Sequence, residues 1–399
     1  TCGKKKKKPK IIDLQEDFKV ELDDTLHNEL LRLHGDGKFG IIDKVMSWVV
    51  IKDGKIISEN YSGGWEQEKK IHLWSGTKTV FGLLFAIMEQ KGQIKFNEKL
   101  SEILNVWKNF DGGREHITVE QMLTMTSGLN YELANFADAI GSATLCKTCL
   151  GGRYFGTVTE PKFYPEKIGQ FQYVAANNML SYALKEKTKK SVGDYAGQEL
   201  FKRLGIYNWN WWCAGYTRRN WYYKGRCANT DGNYVETSFH GLMLTLRDYA
   251  KIGMLYLQNG RFSPDAKETI GREDWYTRSV NVPGEYAYLY RKKGKNLDYY
   301  CAMGLGGKNT CWIPQANLVI TVAAKLTIVD GSLIGGQSCN DSKWFGGYCN
   351  KFCPQMCDVS ENETEEIGAE IENEEPGQFG TNADKFTNKV QELLGLDLN

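Results

Sequence analysis

Ser75-Gly76-Thr77-Lys78 is the one place in the 399 residues where a serine is followed three positions later by a lysine. On a helix, positions i and i+3 share a face, so the lysine amine projects toward the serine hydroxyl. A free serine hydroxyl is a weak nucleophile, and a neighbouring base activates it. Lysine is such a base only when neutral, which burial or a nearby positive charge achieves by lowering its pKa. The residues that follow, Val80 to Met88, are apolar on every side. They predict a buried helix from Thr77 to Lys91, closed by Gly92. Its N-terminus offers free backbone N–H groups and a favourable end for developing negative charge. Taken alone, the tetrapeptide also fits a helix-capping serine followed by a solvated lysine. A lysine in the first turn of a core helix tips the reading toward chemistry, because lysine is almost never fully buried unless paired.

Five phrases in order extend the signal. Trp74–Leu104 (WSGTKTVFGLLFAIMEQKGQIKFNEKLSEIL) contains the helix. Ile117–Leu129 (ITVEQMLTMTSGL), Phe171–Leu184 (FQYVAANNMLSYAL), His240–Gly260 (HGLMLTLRDYAKIGMLYLQNG) and Met303–Val322 (MGLGGKNTCWIPQANLVITV) follow. From roughly Val45 to Lys325 the chain resembles the serine β-lactamase/penicillin-binding-protein superfamily, in the branch of class C β-lactamases, esterases, D-aminopeptidases and nylon-oligomer hydrolases. The resemblance implies an α/β, β-lactamase-like three-layer sandwich: an antiparallel sheet flanked by helices, with a mainly helical subdomain beside it. It implies that Ser75 forms an acyl-enzyme, that Lys78 is its partner, and that Tyr173 relays the proton to the leaving group. It also implies that the strand carrying Gly304, Gly306 and Gly307 supplies a backbone N–H which, with that of Ser75, makes an oxyanion hole. Trp74, Ala175, His240 and Met303 fall at the expected pocket. Three positions depart from the pattern. Ala175 stands where β-lactamases carry Asn, Met303 where a cation would meet a substrate carboxylate, and Lys308 where relatives often have Gln. The expected substrate is therefore a small ester or uncharged amide rather than a penicillin or cephalosporin, with no cofactor and no metal. The competing expectation is a catalytically inactive version of the fold serving as a binding or structural protein.

Composition narrows the rest. A net charge of +1, with 25% charged residues, gives no bulk field to recruit nucleic acid. The longest apolar run is too short to span a bilayer. Eleven cysteines, ten of them outside the N-terminal tail, point to an oxidising compartment: secreted, or in the lumen of the secretory pathway. The candidates are Cys213 with Cys227 and Cys301 with Cys311, then Cys146, Cys149, Cys339, Cys349, Cys353 and Cys357 without assigned partners. Zinc is the lesser reading, because only one Cys-x-x-Cys occurs. Sequons at Asn60, Asn340 and Asn362 agree with export.

Along the chain, residues 1–13 form a lysine-rich tail. Residues 14–92 and 233–399 form the α/β body, with a solvated acidic insertion at 358–377. Residues 93–232 form the helical subdomain and its disulfide-tied loops. Leu14–His34 and Ala383–Leu396 are predicted amphipathic helices. Asp53-Gly54 between two β-rich runs predicts a hairpin, and Thr118 with Gln121 predicts a capping box on a helix reaching Thr126. Val319–Leu326 reads as a buried strand. His240 reads as a structural histidine. Trp209, Trp211 and Trp212 fit either a pocket wall or the packing of a tied loop.

Overall fold

Alternating small clusters of β-branched and aromatic residues build a sheet around one hairpin. Strands β2 (Val45–Lys52) and β3 (Lys55–Tyr61) meet through Asp53 and Gly54, both at positive φ (51° and 82°). Two successive left-handed residues match the twist of a tight hairpin, which is why Asp-Gly announces it. In the computed structural model the described residues are 11–40, 44–109, 113–130, 162–173, 179–211, 213–217, 220–224, 235–296, 298–324, 332–333, 337–338 and 381–396. With β1 (Lys19–Val20), β4 (Arg291–Lys293), β5 (Tyr299–Gly304), β6 (Lys308–Ile313) and β7 (Leu318–Ala324), the hairpin forms a seven-stranded sheet of order β1-β3-β2-β7-β6-β5-β4. Every pairing is antiparallel except the two-residue edge strand β1, which runs parallel to β3. The sheet is antiparallel as expected, with that one parallel pairing at its edge.

Successive side chains on a strand point to opposite faces, and here they feed two cores. Val45, Trp48, Val50, Leu318, Ile320 and Val322 pack beneath α1 (Asp24–Gly35) and α4 (Thr381–Leu393). Val49, Ile51, Val319 and Trp312 pack with α2 (Thr77–Gln90) and α3 (Leu246–Leu257) on the other side. The result is three layers, helix–sheet–helix. Helix α2 is buried on all sides from Thr77 to Met88, as its composition requires. It closes at Gly92 (φ 66°), whose N–H reaches the Glu89 carbonyl, as Gln93 N–H reaches that of Met88.

Local signals fare unevenly. Thr118 and Gln121 form the reciprocal capping box, a device worth about 1 kcal/mol. The helix they start ends at Leu123, short of Thr126. The predicted helix from Leu14 begins only at Asp24, because Asp23 accepts the Leu26 N–H and caps it there. Upstream, the Leu14 N–H is held by the Phe262 carbonyl and Leu14 is core. Cys301 and Cys311 face each other across β5 and β6 and are disulfide-bonded. Asn60 lies half-buried on β3, opposite Trp48. Asn340, Asn362, Ala175, Trp212, the acidic insertion and the side chains of the other cysteines lie outside the described residues. No helix among the described residues is long and apolar enough to cross a membrane.

Candidate active site

The turn that carries Ser75 hangs between two sheets. Strand Ile71–His72 pairs with Leu242–Leu244, and the Leu73 N–H continues to the Leu242 carbonyl (2.9 Å). The chain then turns sharply at Trp74, which sits at φ 48°, a strained conformation for a bulky residue. Ser75 lies in the 3-10 turn Trp74–Gly76 that leads into α2. The residue at the helix cap is Gly76, with no side-chain cap, so the Ser75 hydroxyl is not spent on capping.

Lys78 is 3% exposed, and its Nζ lies 3.0 Å from Ser75 Oγ and 3.0 Å from the Phe239 carbonyl oxygen. Burial lowers its pKa, against the pull of Tyr173, and the charge of Arg291 lowers it further. Tyr173 stands beside them, with the Lys78 Nζ 4.9 Å from its ring centroid. Burial of its hydroxyl would raise its pKa, but the nearby Lys78, Ser75 and Arg291 together hold it below the usual phenol value. The ring itself is open on one side, and the residue is 46% exposed. A hydroxyl, an amine and a phenol, the last two of reduced proton affinity, can pass a proton among themselves.

The surrounding backbone is fixed from three directions. The Thr237 hydroxyl contacts the His240 carbonyl and lies 3.1 Å from His240 Nδ1. The Trp211 indole N–H donates to the Thr237 carbonyl (2.8 Å). Thr77 Oγ1 accepts the Leu242 N–H (3.2 Å). His240 is buried beside Lys78, and desolvation first, then that charge, push its pKa down to about 3, so it is neutral. His72 is likewise held neutral by burial. Trp209 and Trp211 are core residues packed on Phe201 rather than a pocket wall.

The glycine strand lies against the nucleophile turn. A Cβ on Gly304 would stand 2.1 Å from the Leu73 carbonyl oxygen, and one on Gly76 would stand 2.3 Å from the Tyr249 hydroxyl. That hydroxyl reaches the Ala302 carbonyl (3.1 Å). The Gly304 N–H is taken by Asn309 Oδ1 (3.2 Å), so in this conformation it does not point at an oxyanion position. Gly306 and Gly307 both adopt positive φ in the turn. Lys308 is buried and bonds the carbonyls of Gly306 (3.1 Å) and Ala324, pinning that turn to the end of β7.

Met303 needs correction. It shares a face with Tyr299 and Cys301 and packs against the core under α1 and α4, whereas its neighbour Ala302 faces α2. The pleat sends it away from the nucleophile, so it is not a pocket residue. Two site residues escaped the sequence reading: Arg291, whose guanidinium lies 5.3 Å from the Tyr173 ring, and Tyr286, edge-on to that ring at 6.2 Å. Arg291 is the first residue of the edge strand β4, and no local motif announces it. Among the described residues no group of three or more His, Cys, Asp or Glu could hold a metal ion.

Known proteins share this architecture. A Bacillus anthracis protein assigned as a 6-aminohexanoate-dimer hydrolase superposes with a TM-score of 0.60 at 15% identity, covering 98% of this chain and 90% of that one. A family VIII carboxylesterase gives 0.55 at 14% identity, covering 77% and 93%. At these identities the likeness is one of fold. Protein flp of Staphylococcus aureus (strain MW2) is 25% identical over 201 residues, spanning 48% of this chain and only 38% of the staphylococcal protein. A family model described as Beta-lactamase matches residues 44–328, a span that includes Ser75, Lys78, Tyr173 and the glycine strand. With more than half of its length matched, the chain belongs to the Beta-lactamase family.

Proposed function

We propose that this chain is a serine hydrolase that cleaves ester or amide bonds through an acyl-enzyme on Ser75. The observation that carries the reading is the buried Lys78 amine at 3.0 Å from Ser75 Oγ. Burial favours the neutral amine, which takes the serine proton as the hydroxyl attacks the carbonyl. The Tyr173 hydroxyl, beside both groups, hands that proton to the leaving alkoxide or amine. Water then attacks the acyl-enzyme, the same groups return the proton, and the acid is released. Backbone N–H groups at the Ser75 turn are the proposed donors to the oxyanion; that of Gly304 would join them only by leaving Asn309 Oδ1.

Short acyl esters and uncharged amides remain the proposed substrates. Met303 no longer supports that preference, since it faces the opposite core. Ala175, the other support, lies outside the described residues. The Cys301–Cys311 bridge supports an oxidising, exported setting.

The test is covalent labelling and turnover. A fluorophosphonate probe should label the protein at Ser75, and a p-nitrophenyl ester should be hydrolysed. Ser75→Ala should abolish labelling and cut turnover by at least about a thousand-fold. A chromogenic cephalosporin should be a poorer substrate than the ester. Neither labelling nor turnover in the intact protein would favour the inactive, binding form of the fold.

A further inference from the structure

Tyr173 is delivered by an irregular segment, residues 171–173, with neither helix nor strand to hold it. Its hydroxyl must nevertheless stay within reach of Ser75 and Lys78 at once. One backbone bond helps: the Gln172 N–H donates to the Met125 carbonyl (2.9 Å). The remaining hold comes from a shelf of rings. Phe171 stacks on Tyr286, with centroids 4.9 Å apart and planes at 29°. Tyr173 meets the same Tyr286 edge-on. The Arg291 guanidinium lies across both, 5.3 Å from the Tyr173 centroid and 5.9 Å from that of Tyr286.

A guanidinium is planar, permanently charged and weakly hydrated, so it packs on aromatic faces where an ammonium would keep its water. The Arg291 backbone is fixed by the β4–β5 ladder, independently of its side chain. The Lys78 Nζ also lies 4.9 Å from the Tyr173 ring centroid. The ring thus neighbours both a lysine whose pKa burial lowers and the Arg291 guanidinium.

We propose that Arg291 is a positioning residue: by spanning the rings of Tyr173 and Tyr286 it holds the Tyr173 hydroxyl at Ser75 and Lys78 and keeps a fixed positive charge beside them. The role rests on the hydrolase reading above for its purpose, but not for its test. The groups facing Tyr173 are Ser75 and Lys78 from the nucleophile turn and α2, Tyr286 from the loop before β4, and Arg291 from β4. His240 stands behind Lys78 and is neutral above about pH 3. Of these, Arg291 alone contributes a charge that does not titrate. Its removal therefore raises the pKa of the Lys78–Tyr173 pair, and the ascending limb of the pH–rate profile moves to higher pH.

Protein carrying tyrosine labelled at the ring Cζ, with the Tyr173 resonance assigned by Tyr173→Phe, reports the titration directly by NMR. In Arg291→Met the Tyr173 midpoint should rise on the order of one pH unit. Arg291→Lys keeps the charge but cannot lie flat, and should recover part of the shift. In ester hydrolysis, Arg291→Met should lower kcat at pH 7 about ten-fold and leave KM within about two-fold, with the limb shifted by the same amount as the NMR midpoint. An unmoved Tyr173 midpoint in folded Arg291→Met overturns the proposal. So does a rise in KM confined to carboxylate-bearing esters with the midpoint unchanged, which would make Arg291 a substrate-binding group. An intact protein with no turnover refutes the hydrolase reading, while the NMR titration still decides the role of Arg291.

Discussion

The two faces of the seven-stranded sheet bury side chains of different kinds. Under α1 and α4, Phe386 packs on Phe39 and Trp48 at centroid distances of 4.9 and 5.2 Å, and the Trp48 indole N–H is satisfied by Ser58 (2.9 Å). On the α2 side an equally apolar core carries Lys78, Lys308, His72 and His240 at its margin, all buried, with the strained Trp74 among them. Burying an ionisable group costs free energy unless it is bonded, and often keeps it neutral. A chain concentrates such groups where they are used. One face of the sheet buries chiefly rings and aliphatic chains, and the other also buries the ionisable groups around Ser75.

That contrast predicts opposite phenotypes. On the α2 face, Lys78→Met replaces a buried amine with an apolar chain of similar reach. Ester turnover should fall about 100- to 10,000-fold, while the melting temperature stays within a few degrees of the parent. A collapse of stability with residual activity would break the comparison. On the face under α1 and α4, Phe386→Ala should cost about 3–5 kcal/mol in denaturant unfolding, because it empties a site between two rings. The kcat/KM of the molecules that remain folded should be unchanged. A catalytic defect there would show that the two faces are coupled.

A smaller effect sharpens the same point through pH. The folded pKa of His240 is about 3, far below that of an exposed histidine. Between that value and about 6.5 the unfolded chain binds a proton that the native state refuses. Stability from this group is therefore complete above the unfolded pKa and is lost as pH falls toward the folded one. His72, also depressed, adds in the same direction. The melting temperature should drop between pH 7 and pH 4, and His240→Gln should flatten that drop by a few degrees. An equal drop in both proteins would remove His240 as its source.

Much that depended on local spacing was legible in the sequence. Ser75 with Lys78, the Asp53-Gly54 hairpin, the Thr118–Gln121 box, the buried α2 and the C-terminal helix each follow from a few neighbouring residues. What depended on strand register was not. The family resemblance puts Met303 at the pocket, yet alternation turns it to the other core. Arg291, with no motif of its own, starts the edge strand β4, far in sequence from the Tyr173 ring that its guanidinium approaches. The N-terminal helix was drawn too long because apolar spacing continued upstream of the cap at Asp23, in a segment whose apolar residues Leu14 and Phe18 join the core without a helix.

Gly76 carries a consequence for how the Ser-x-x-Lys signature is read. Its φ of −57° is ordinary, so nothing in its backbone demands glycine. The constraint is the Tyr249 hydroxyl occupying the space any Cβ would need. The next position is committed too, through the Thr77 hydroxyl and the Leu242 N–H. In this protein the two letters conventionally left blank are as determined as the two that are written. A randomised library over residues 75–78 should return a nearly unique tetrapeptide, with far more information in it than a two-residue pattern implies.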